Sequence, residues 1–400
     1  MKHTLEVFRE FLLLGLTSFG GPTAHVAFFR DRFVGVKKWL SESDFADLRA
    51  LCQFLPGPAS SQLGLSIGWR RAGWAGAFAA WFAFTMPSAI LLTLFGIGVM
   101  KFGGGLDAET GWLRGLQIAV VVVIAQAVTS MWTALCPDRK RKLIALATAA
   151  IILVTAPAWM QLVVIALGAV AGLIFLREET IPEDSTGLDE RPNPVRSGVV
   201  VGVACLVLFF VLLIGLPFVV RTMPDCPVLQ TFTAMYRSGS LVFGGGHVVL
   251  PLLSYEVVDP GWIKREEFLA GYGAAQAVPG PLFTFAAFLG SLIDGPGGPW
   301  GMAAVALIGI FVPAWLLVLG VMPFWHRVVA FPKVRAALAG TNAAVVGLLG
   351  AALYDPVWAG AIANAKDVVF LLGVAAALLV LRIPAWGVVI AGGGRGWVLL

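Results

Sequence analysis

The fold of this chain is decided by the stretch Gln53-Phe54-Leu55-Pro56-Gly57-Pro58, because the sequence contains this pattern twice. The second copy is Gln276-Ala277-Val278-Pro279-Gly280-Pro281. The same separation, within a few residues, also relates Pro87 to Pro313. Correspondences of this kind extend over the whole length, so two halves of one duplicated unit make up the protein.

A glycine-rich break precedes each Pro-Gly-Pro stretch and is also duplicated. The first break is Ser18-Phe19-Gly20-Gly21, and the second is Val242-Phe243-Gly244-Gly245, which Gly246 extends. A histidine follows each break, His25 in the first half and His247 in the second. Glycine and proline interrupt helices and leave backbone N–H and C=O groups without helical partners. Each half therefore contains two predicted interruptions at matching places.

The composition is typical of a membrane protein. Of the 400 residues, 58% are hydrophobic and 13% are charged, whereas about a quarter of a soluble domain is charged. Apolar runs of about 20 residues are long enough to cross a bilayer. Such runs recur at residues 74–99, 115–135, 198–220, 300–321 and 368–381. A membrane β-barrel would need alternating patterns instead, so we predict an all-α polytopic membrane protein.

The duplication divides the chain into two repeats and a connection between them. Residues 177–197 are polar, acidic and proline-containing, which predicts a linker. The apolar span that follows has no counterpart in the first half. We therefore predict four segments: a first repeat at 1–176, a polar linker at 177–197, an inverting transmembrane helix at 198–221 and a second repeat at 222–400.

Charges in the short loops predict that the two repeats lie in opposite orientations. Lys and Arg favour the cytoplasmic side of short loops. Residues 69–73 contain two arginines, whereas the matching residues 294–299 contain no base. The bias is reversed in the next pair of loops, since residues 102–111 lack a base and residues 324–335 contain three. This reversal indicates an inverted-topology internal repeat.

The helical segments around the breaks are too short to cross a membrane singly. In the first half they occupy residues 5–17, 23–33, 42–55 and 60–69. Broken backbone survives in lipid only where it is buried in protein or lines a watery cavity. The loop at residues 30–42 has a net positive charge, and the loop at residues 256–267 has a net negative one. If each pair of short helices enters and leaves on the same side of the membrane, the positive loop is cytoplasmic and the negative loop is external, as their charges favour. We therefore predict re-entrant, broken helices.

An inverted repeat with discontinuous helices is typical of a secondary transporter with its binding site near the bilayer midplane. A helix start offers unpaired N–H donors and a partial positive charge, which suits an anion. We therefore predict that the four breaks hold an oxyanion by their half-helix N-termini. The candidate substrate-binding residues are Gly20, Gly21, His25, Gln53, Pro56, Gly57, Pro58, Ser60, Ser61, Gly244, Gly245, Gly246, His247, Gln276, Pro279, Gly280, Pro281 and Thr284.

Alternative roles remain open for several of these residues. The Gly and Pro residues could be packing kinks, although two matching copies argue against that. The two histidines fit proton coupling, a switchable charge near the anion, or neutral rings bonded to freed carbonyls. The two glutamines fit either ligand contact or satisfaction of broken backbone. Arg237 lies within an apolar run, where it could be a charge partner for the anion, pair with Glu256 or snorkel to an interface.

Other classes of function find no support in the sequence. There is no nucleophile triad, no metal-ligand cluster and no nucleic-acid signal, so we predict no catalytic residue, metal or cofactor. The glycines at 244–246 lack the Lys-Ser/Thr pair of a phosphate-binding loop. Four cysteines are scattered singly, as is usual for unpaired packing residues. They are Cys52, Cys136, Cys205 and Cys226. A membrane enzyme acting on a lipid or sugar phosphate is therefore disfavoured.

The motifs resemble the chromate ion transporter family in its long, two-domain form. In the first half the resemblance is carried by residues 18–22, 53–58, 67–73 and 84–88. In the second half it is carried by residues 242–251 and 276–286. The sequence departs from the family at Ala59-Ser60-Ser61-Gln62, where members often have Glu and Gln, which puts a role for an acid there in doubt.

The resemblance implies a multi-pass protein of the bacterial inner membrane that exports chromate, confers chromate resistance and interacts with sulfate as an analogue. Its expected partners are chromate, sulfate and the lipid bilayer, and a homodimer is left open. Chromate and sulfate share shape and charge, so the residues favour neither. A transporter for sulfate or another oxyanion and an anion channel remain the alternatives.

Overall fold

The computed structural model describes residues 2–102, 111–155, 160–176, 196–243 and 245–399. Within these residues the regular elements are helices. Those of the first half are α1 (Lys2–Thr17), α2 (Gly21–Arg30), α3 (Glu42–Phe54), α4 (Ala59–Phe102), α5 (Gly111–Leu135), α6 (Arg139–Val154) and α7 (Met160–Phe175). They fall on the predicted segments, and the glycine and Pro-Gly-Pro breaks separate them as expected.

The remaining helices include the connecting span and the second repeat. They are α8 (Arg196–Thr222), α9 (Pro227–Ser240), α10 (Val249–Val257), α11 (Arg265–Ala277), α12 (Phe285–Ser291), α13 (Gly298–Val321), α14 (Trp325–Ala330), α15 (Pro332–Ala352), α16 (Ala359–Ala361), α17 (Ala365–Ala375) and α18 (Ala385–Leu399). The predicted helix at 198–221 lies within α8. The predicted linker falls outside the described residues up to 195.

The described residues contain five helical spans that are long and apolar enough to cross a membrane. They are Ala59–Lys101, Arg114–Leu135, Gly198–Thr222, Gly298–Phe324 and Pro332–Ala361. Together with the shorter apolar helices, they confirm an all-α polytopic membrane protein. The first of these spans is divided in two, because Ala72 and Gly73 leave helical geometry, with φ of −146° and +62°. Gly68 and Gly76 then pack face to face, since a Cβ on Gly76 would lie 2.2 Å from the Gly68 carbonyl oxygen.

Matching helices pack in the same way in the two halves. In the first half, Gly15 of α1 lies against α4, and a Cβ there would be 2.8 Å from the Phe84 carbonyl oxygen. In the second half, Gly239 of α9 lies against α13, and a Cβ there would be 2.3 Å from the Ile310 carbonyl oxygen. Glycine at both positions lets the helix backbones approach closely, as is common in membrane helix packing.

The largest apolar core draws on both halves. In this core α6 and α7 pack on α15, whereas α5 and α18 pack together in a separate apolar cluster. The contact of α7 with α15 is backbone-close, because a Cβ on Gly168 would lie 2.9 Å from the Gly340 carbonyl oxygen. By contrast, α8 lies at the periphery, with large apolar side chains such as Val200 and Ile214 more than half exposed. Exposed apolar side chains of this kind suit contact with lipid rather than water.

Candidate functional site

The two Pro-Gly-Pro turns each bond to the glycine break of the opposite half. The N–H of Gly57 donates to the Val242 carbonyl oxygen at 2.7 Å. The N–H of Gly280 donates to the Ser18 carbonyl oxygen at 3.0 Å. Because Gly57 matches Gly280 and Ser18 matches Val242 in the duplication, the two bonds are reciprocal. The breaks of both halves therefore converge, and each satisfies a carbonyl that the other break has freed.

Both turns depend on glycine at their centre. The φ angles are +115° at Gly57 and +102° at Gly280, in a region that residues with a side chain rarely adopt. Each turn also packs on the proline-containing long helix of the opposite half. A Cβ on Gly57 would lie 3.7 Å from Cβ of Ala314, and one on Gly280 would lie 2.8 Å from Oγ of Ser88. Ala314 follows Pro313 and Ser88 follows Pro87, so this contact is duplicated too.

A cavity of about 670 Å³ opens beside the first turn. Its lining draws on both halves of the chain. The lining residues that carry the argument are Pro22, Arg49, Gln53, Gly57, Ala59 and Gly245, with Asn342 of α15. Of the predicted site residues in the described part of the chain, Gln53, Gly57 and Gly245 line this cavity.

Two helices begin at the cavity wall. Helix α4 starts at Ala59 and helix α2 starts at Gly21, next to Pro22. The first N–H groups of an α-helix have no acceptor within the helix, and a helix start carries a partial positive charge. Gln62 supports the first turn by donating from Nε2 to the Pro56 carbonyl oxygen at 2.8 Å. The two helix starts therefore bring N–H donors and partial positive charge to the cavity wall, and Asp31 adds one acid to the lining.

Arg49 supplies a formal positive charge that sequence reasoning missed. It is exposed on α3, lines the cavity and has no carboxylate partner among the described residues. The nearby Arg30 is neutralised by Glu42, at 2.8 Å between Nη2 and Oε1. The duplication gave no signal for Arg49, because Tyr272 occupies the matching position. The available signal was its spacing, one helical turn before Gln53 and on the same face.

The second Pro-Gly-Pro turn leads into a buried segment. Residues 280–290 are all buried, and the Thr284 hydroxyl donates to the Pro281 carbonyl oxygen at 2.7 Å. That hydroxyl therefore caps the turn. Nδ1 of His247 lies 2.9 Å from the Tyr272 hydroxyl and 3.4 Å from Nε2 of Gln276, and both groups can donate to it. The two matching turns thus have different neighbours, because the first borders this cavity and the second lies beside the His247–Tyr272–Gln276 group.

His25 is fully buried and ties the first glycine break to the second turn. Its Nε2 lies 3.1 Å from the Ser18 carbonyl oxygen, so Nε2 carries the proton and donates. The same carbonyl accepts the N–H of Gly280. This arrangement corresponds to the alternative in which a neutral histidine satisfies a freed carbonyl.

The remaining candidates lie around the turns without bordering the cavity. Ser60 and Ser61 are buried in the first turn of α4, and Oγ of Ser61 has no hydrogen-bond partner among the described residues. Gly246 is buried, and Gly20 is exposed. Gly244 falls outside the described residues.

Arg237 pairs with Glu256, which is one of the roles left open by the sequence. Nη1 of Arg237 lies 3.2 Å from Oε1 of Glu256, and the side chains are 23% and 13% exposed. The pair joins α9 to α10 away from the cavity lining. The first half has an ion pair of opposite polarity, in which Glu10 of α1 binds Arg32, just after the end of α2. Each half therefore has an ion pair between its first helix and a later segment.

We expect neutralisation of one member of the Arg237–Glu256 pair to destabilise the protein. Arg237→Gln leaves a partly buried carboxylate without its cation. Loss of one partner of a fully buried pair typically costs about 3–5 kcal/mol, and the partial exposure of this pair places the expected loss below that range. The double variant Arg237→Gln/Glu256→Gln should recover most of the lost stability. Thermal unfolding in detergent measures both effects.

The exposed pair Arg265–Asp355 provides the control for this prediction. Its side chains are 41% and 56% exposed, and surface pairs contribute roughly 0–1 kcal/mol. Arg265→Gln should therefore change the unfolding temperature little. Equal stability of Arg237→Gln and the parent protein would show that the buried pair does not hold α9 to α10.

The fold and the site define a polytopic membrane protein whose broken helices meet at a cavity between its two halves. The sequence model named "Chromate transporter" matches residues 5–173 and 229–397. Because these two matches cover most of the chain, the protein belongs to the chromate transporter family. No solved structure matches the chain significantly.

Curated relatives carry names that agree with the family. The chain is 28% identical to the chromate transport protein of Pseudomonas aeruginosa over 88% of its own length and 80% of the relative's. It is 27% identical to the probable chromate transport protein of Synechococcus elongatus over 87% and 83% of the two lengths. It is 26% identical to the chromate transport protein of Cupriavidus metallidurans over 86% and 80%.

Proposed function

We propose that this protein is a secondary transporter that exports chromate, a tetrahedral dianion, across the bacterial inner membrane and thereby confers chromate resistance. The observation that carries the proposal is the reciprocal pair of bonds from Gly57 to Val242 and from Gly280 to Ser18, beside a cavity of about 670 Å³. Family membership and the names of the relatives support chromate as the substrate.

The proposed site lies at the first turn, where the helix starts and Arg49 face the cavity. Helix dipoles and one exposed arginine attract a dianion without enclosing it in ion pairs, which favours release as well as binding. The second turn supports this site by fixing the Ser18 carbonyl through the N–H of Gly280. His25, His247 and Gln276 are then positioning groups around the two turns.

The proposed direction follows from the charge of the substrate. An inside-negative potential drives an anion outward by about 2.3 kcal/mol per charge for each 100 mV. Export of a dianion therefore needs no coupled proton in principle. We also propose that the second repeat, at residues 222–400, is inverted relative to the first, at 1–176. The loop charges support this, since positive loops prefer the cytoplasmic side.

Uptake of labelled chromate into everted membrane vesicles tests the proposal. We expect saturable uptake that is stimulated by an imposed inside-positive potential, because the everted interior corresponds to the cell exterior. Sulfate should compete because it has the same shape and charge. Vesicles with an empty vector are the control, and uptake no greater than theirs would refute the proposal. Counterflow of preloaded chromate distinguishes a carrier from an anion channel, which shows none.

A further inference from the structure

Helix α6 begins with four consecutive basic residues, Arg139, Lys140, Arg141 and Lys142. A helix start already carries a partial positive charge, so four cations in the first turn repel it. Asp138 caps the helix, with its side chain accepting from the Arg141 N–H at 2.9 Å. Arg139, Lys140 and Lys142 have no carboxylate partner within the described part of the chain. Three cations therefore remain without an anion at this end of α6.

An apolar groove of about 360 Å³ starts at Lys140 and follows the outer face of α6 and α7. Its walls are almost entirely hydrocarbon. The lining residues that matter most are Leu143, Ala147, Leu167, Ala171 and Phe175. Leu143 is 66% exposed, Leu167 is 52% exposed and Phe175 is 56% exposed. Side chains of this kind at the surface of a membrane helix face acyl chains.

We propose that Arg139, Lys140 and Lys142, together with the groove between α6 and α7, bind one anionic phospholipid. The cations match a phosphate headgroup, and the groove matches an acyl chain leading away from it. A free phosphate ion would gain nothing from the apolar walls, and a neutral lipid would gain little from the cations. Basic residues at the end of a membrane helix favour the cytoplasmic leaflet, where anionic lipids attract them.

The bound lipid would brace the central site. Helices α6 and α7 pack on α15, where a Cβ on Gly172 would lie 2.1 Å from the Ala336 carbonyl oxygen. Asn342 on the same helix lines the central cavity. A lipid that holds α6 against α7 therefore acts on α15, the helix whose opposite face carries Asn342. Binding itself does not depend on the proposed transport activity.

Native mass spectrometry of the full-length protein, titrated with phosphatidylglycerol and separately with phosphatidylcholine, tests the site. Two variants each remove one part of the proposed lipid site. Arg139→Gln/Lys140→Gln/Lys142→Gln removes the cations, and Ala147→Trp fills the groove from an exposed position. We expect each variant to lower phosphatidylglycerol retention by about tenfold and to leave phosphatidylcholine retention unchanged.

A control variant removes the same number of charges elsewhere. Lys38→Gln/Lys101→Gln/Lys366→Gln changes three exposed lysines outside the groove, and its phosphatidylglycerol retention should equal that of the parent. Equal loss in this control would mean that net charge alone binds the lipid, which overturns the proposal. Full retention in Ala147→Trp, or displacement of the lipid by millimolar inorganic phosphate, would also overturn it, because either result means that the groove does not contribute.

Discussion

Replacing Gly57 by leucine is expected to abolish chromate export while the protein still inserts into the membrane. The φ angle of +115° at this position strains any residue with a side chain, at a cost of roughly 1–3 kcal/mol. The turn relieves that strain by moving, which breaks the 2.7 Å bond from the Gly57 N–H to the Val242 carbonyl oxygen. A cost of this size corresponds to a loss of about 5-fold to about 150-fold, measured as chromate uptake into everted vesicles.

Gly98→Leu is the matched control, because it makes the same substitution in α4, the helix that begins just after Gly57. Nothing lies within 4 Å of a Cβ built on Gly98, and its backbone is helical. We expect Gly98→Leu to transport chromate at close to the parent rate. Gly280→Leu should resemble Gly57→Leu, because its side chain would also collide with Oγ of Ser88. Normal uptake by Gly57→Leu at normal protein levels would remove the first turn from the site.

Replacing Arg49 by glutamine is expected to raise the KM for chromate by about tenfold. A hydrogen bond to a charged group contributes roughly 1.5–3 kcal/mol, and the exposure of Arg49 screens the charge and places the effect at the lower end. The loss is in affinity, because the two turns and the cavity shape stay intact. Initial rates of chromate uptake over a range of concentrations separate KM from the maximal rate.

Two further variants show whether the charge of Arg49 is what matters. Arg49→Lys keeps the charge and should retain most of the affinity, although lysine cannot bind two oxygens side by side. Arg9→Gln removes an exposed arginine of α1 outside the cavity lining, and it should leave KM unchanged. An unchanged KM in Arg49→Gln would exclude this residue from chromate binding.

The hydropathy and the Gly and Pro positions of short sequence segments predicted most of the fold. Apolar runs long enough to span a bilayer predicted the long helices, and the Gly and Pro residues predicted the ends of the short ones. The Ala72-Gly73 break in α4 separates the two helices predicted at 60–69 and 74–99. The predicted meeting of broken helices from both halves agrees with the bonds of Gly57 and Gly280. The opposite orientation of the two repeats stays a prediction, and the loop charges support it.

The candidate site was less predictable, because the matching residues do not share the same surroundings. Gln53 lines a cavity, whereas its counterpart Gln276 lies 3.4 Å from Nδ1 of His247. The environment of each glutamine depends on the residue one turn earlier, which is Arg49 in one half and Tyr272 in the other. The recurring motif therefore predicted the same role for both glutamines, although tertiary packing gives them different neighbours.

The sequence by itself determined that this protein is a duplicated, all-helical membrane protein with paired helix breaks, because hydropathy and backbone stereochemistry act over a few consecutive residues. Only the tertiary structure decided that the first turn borders this cavity, that Arg49 lines it and that Arg237 is bound by Glu256. These features arise from contacts between residues that are distant along the chain. The free energy of burying or pairing a charge depends on those contacts, and no local pattern encodes them.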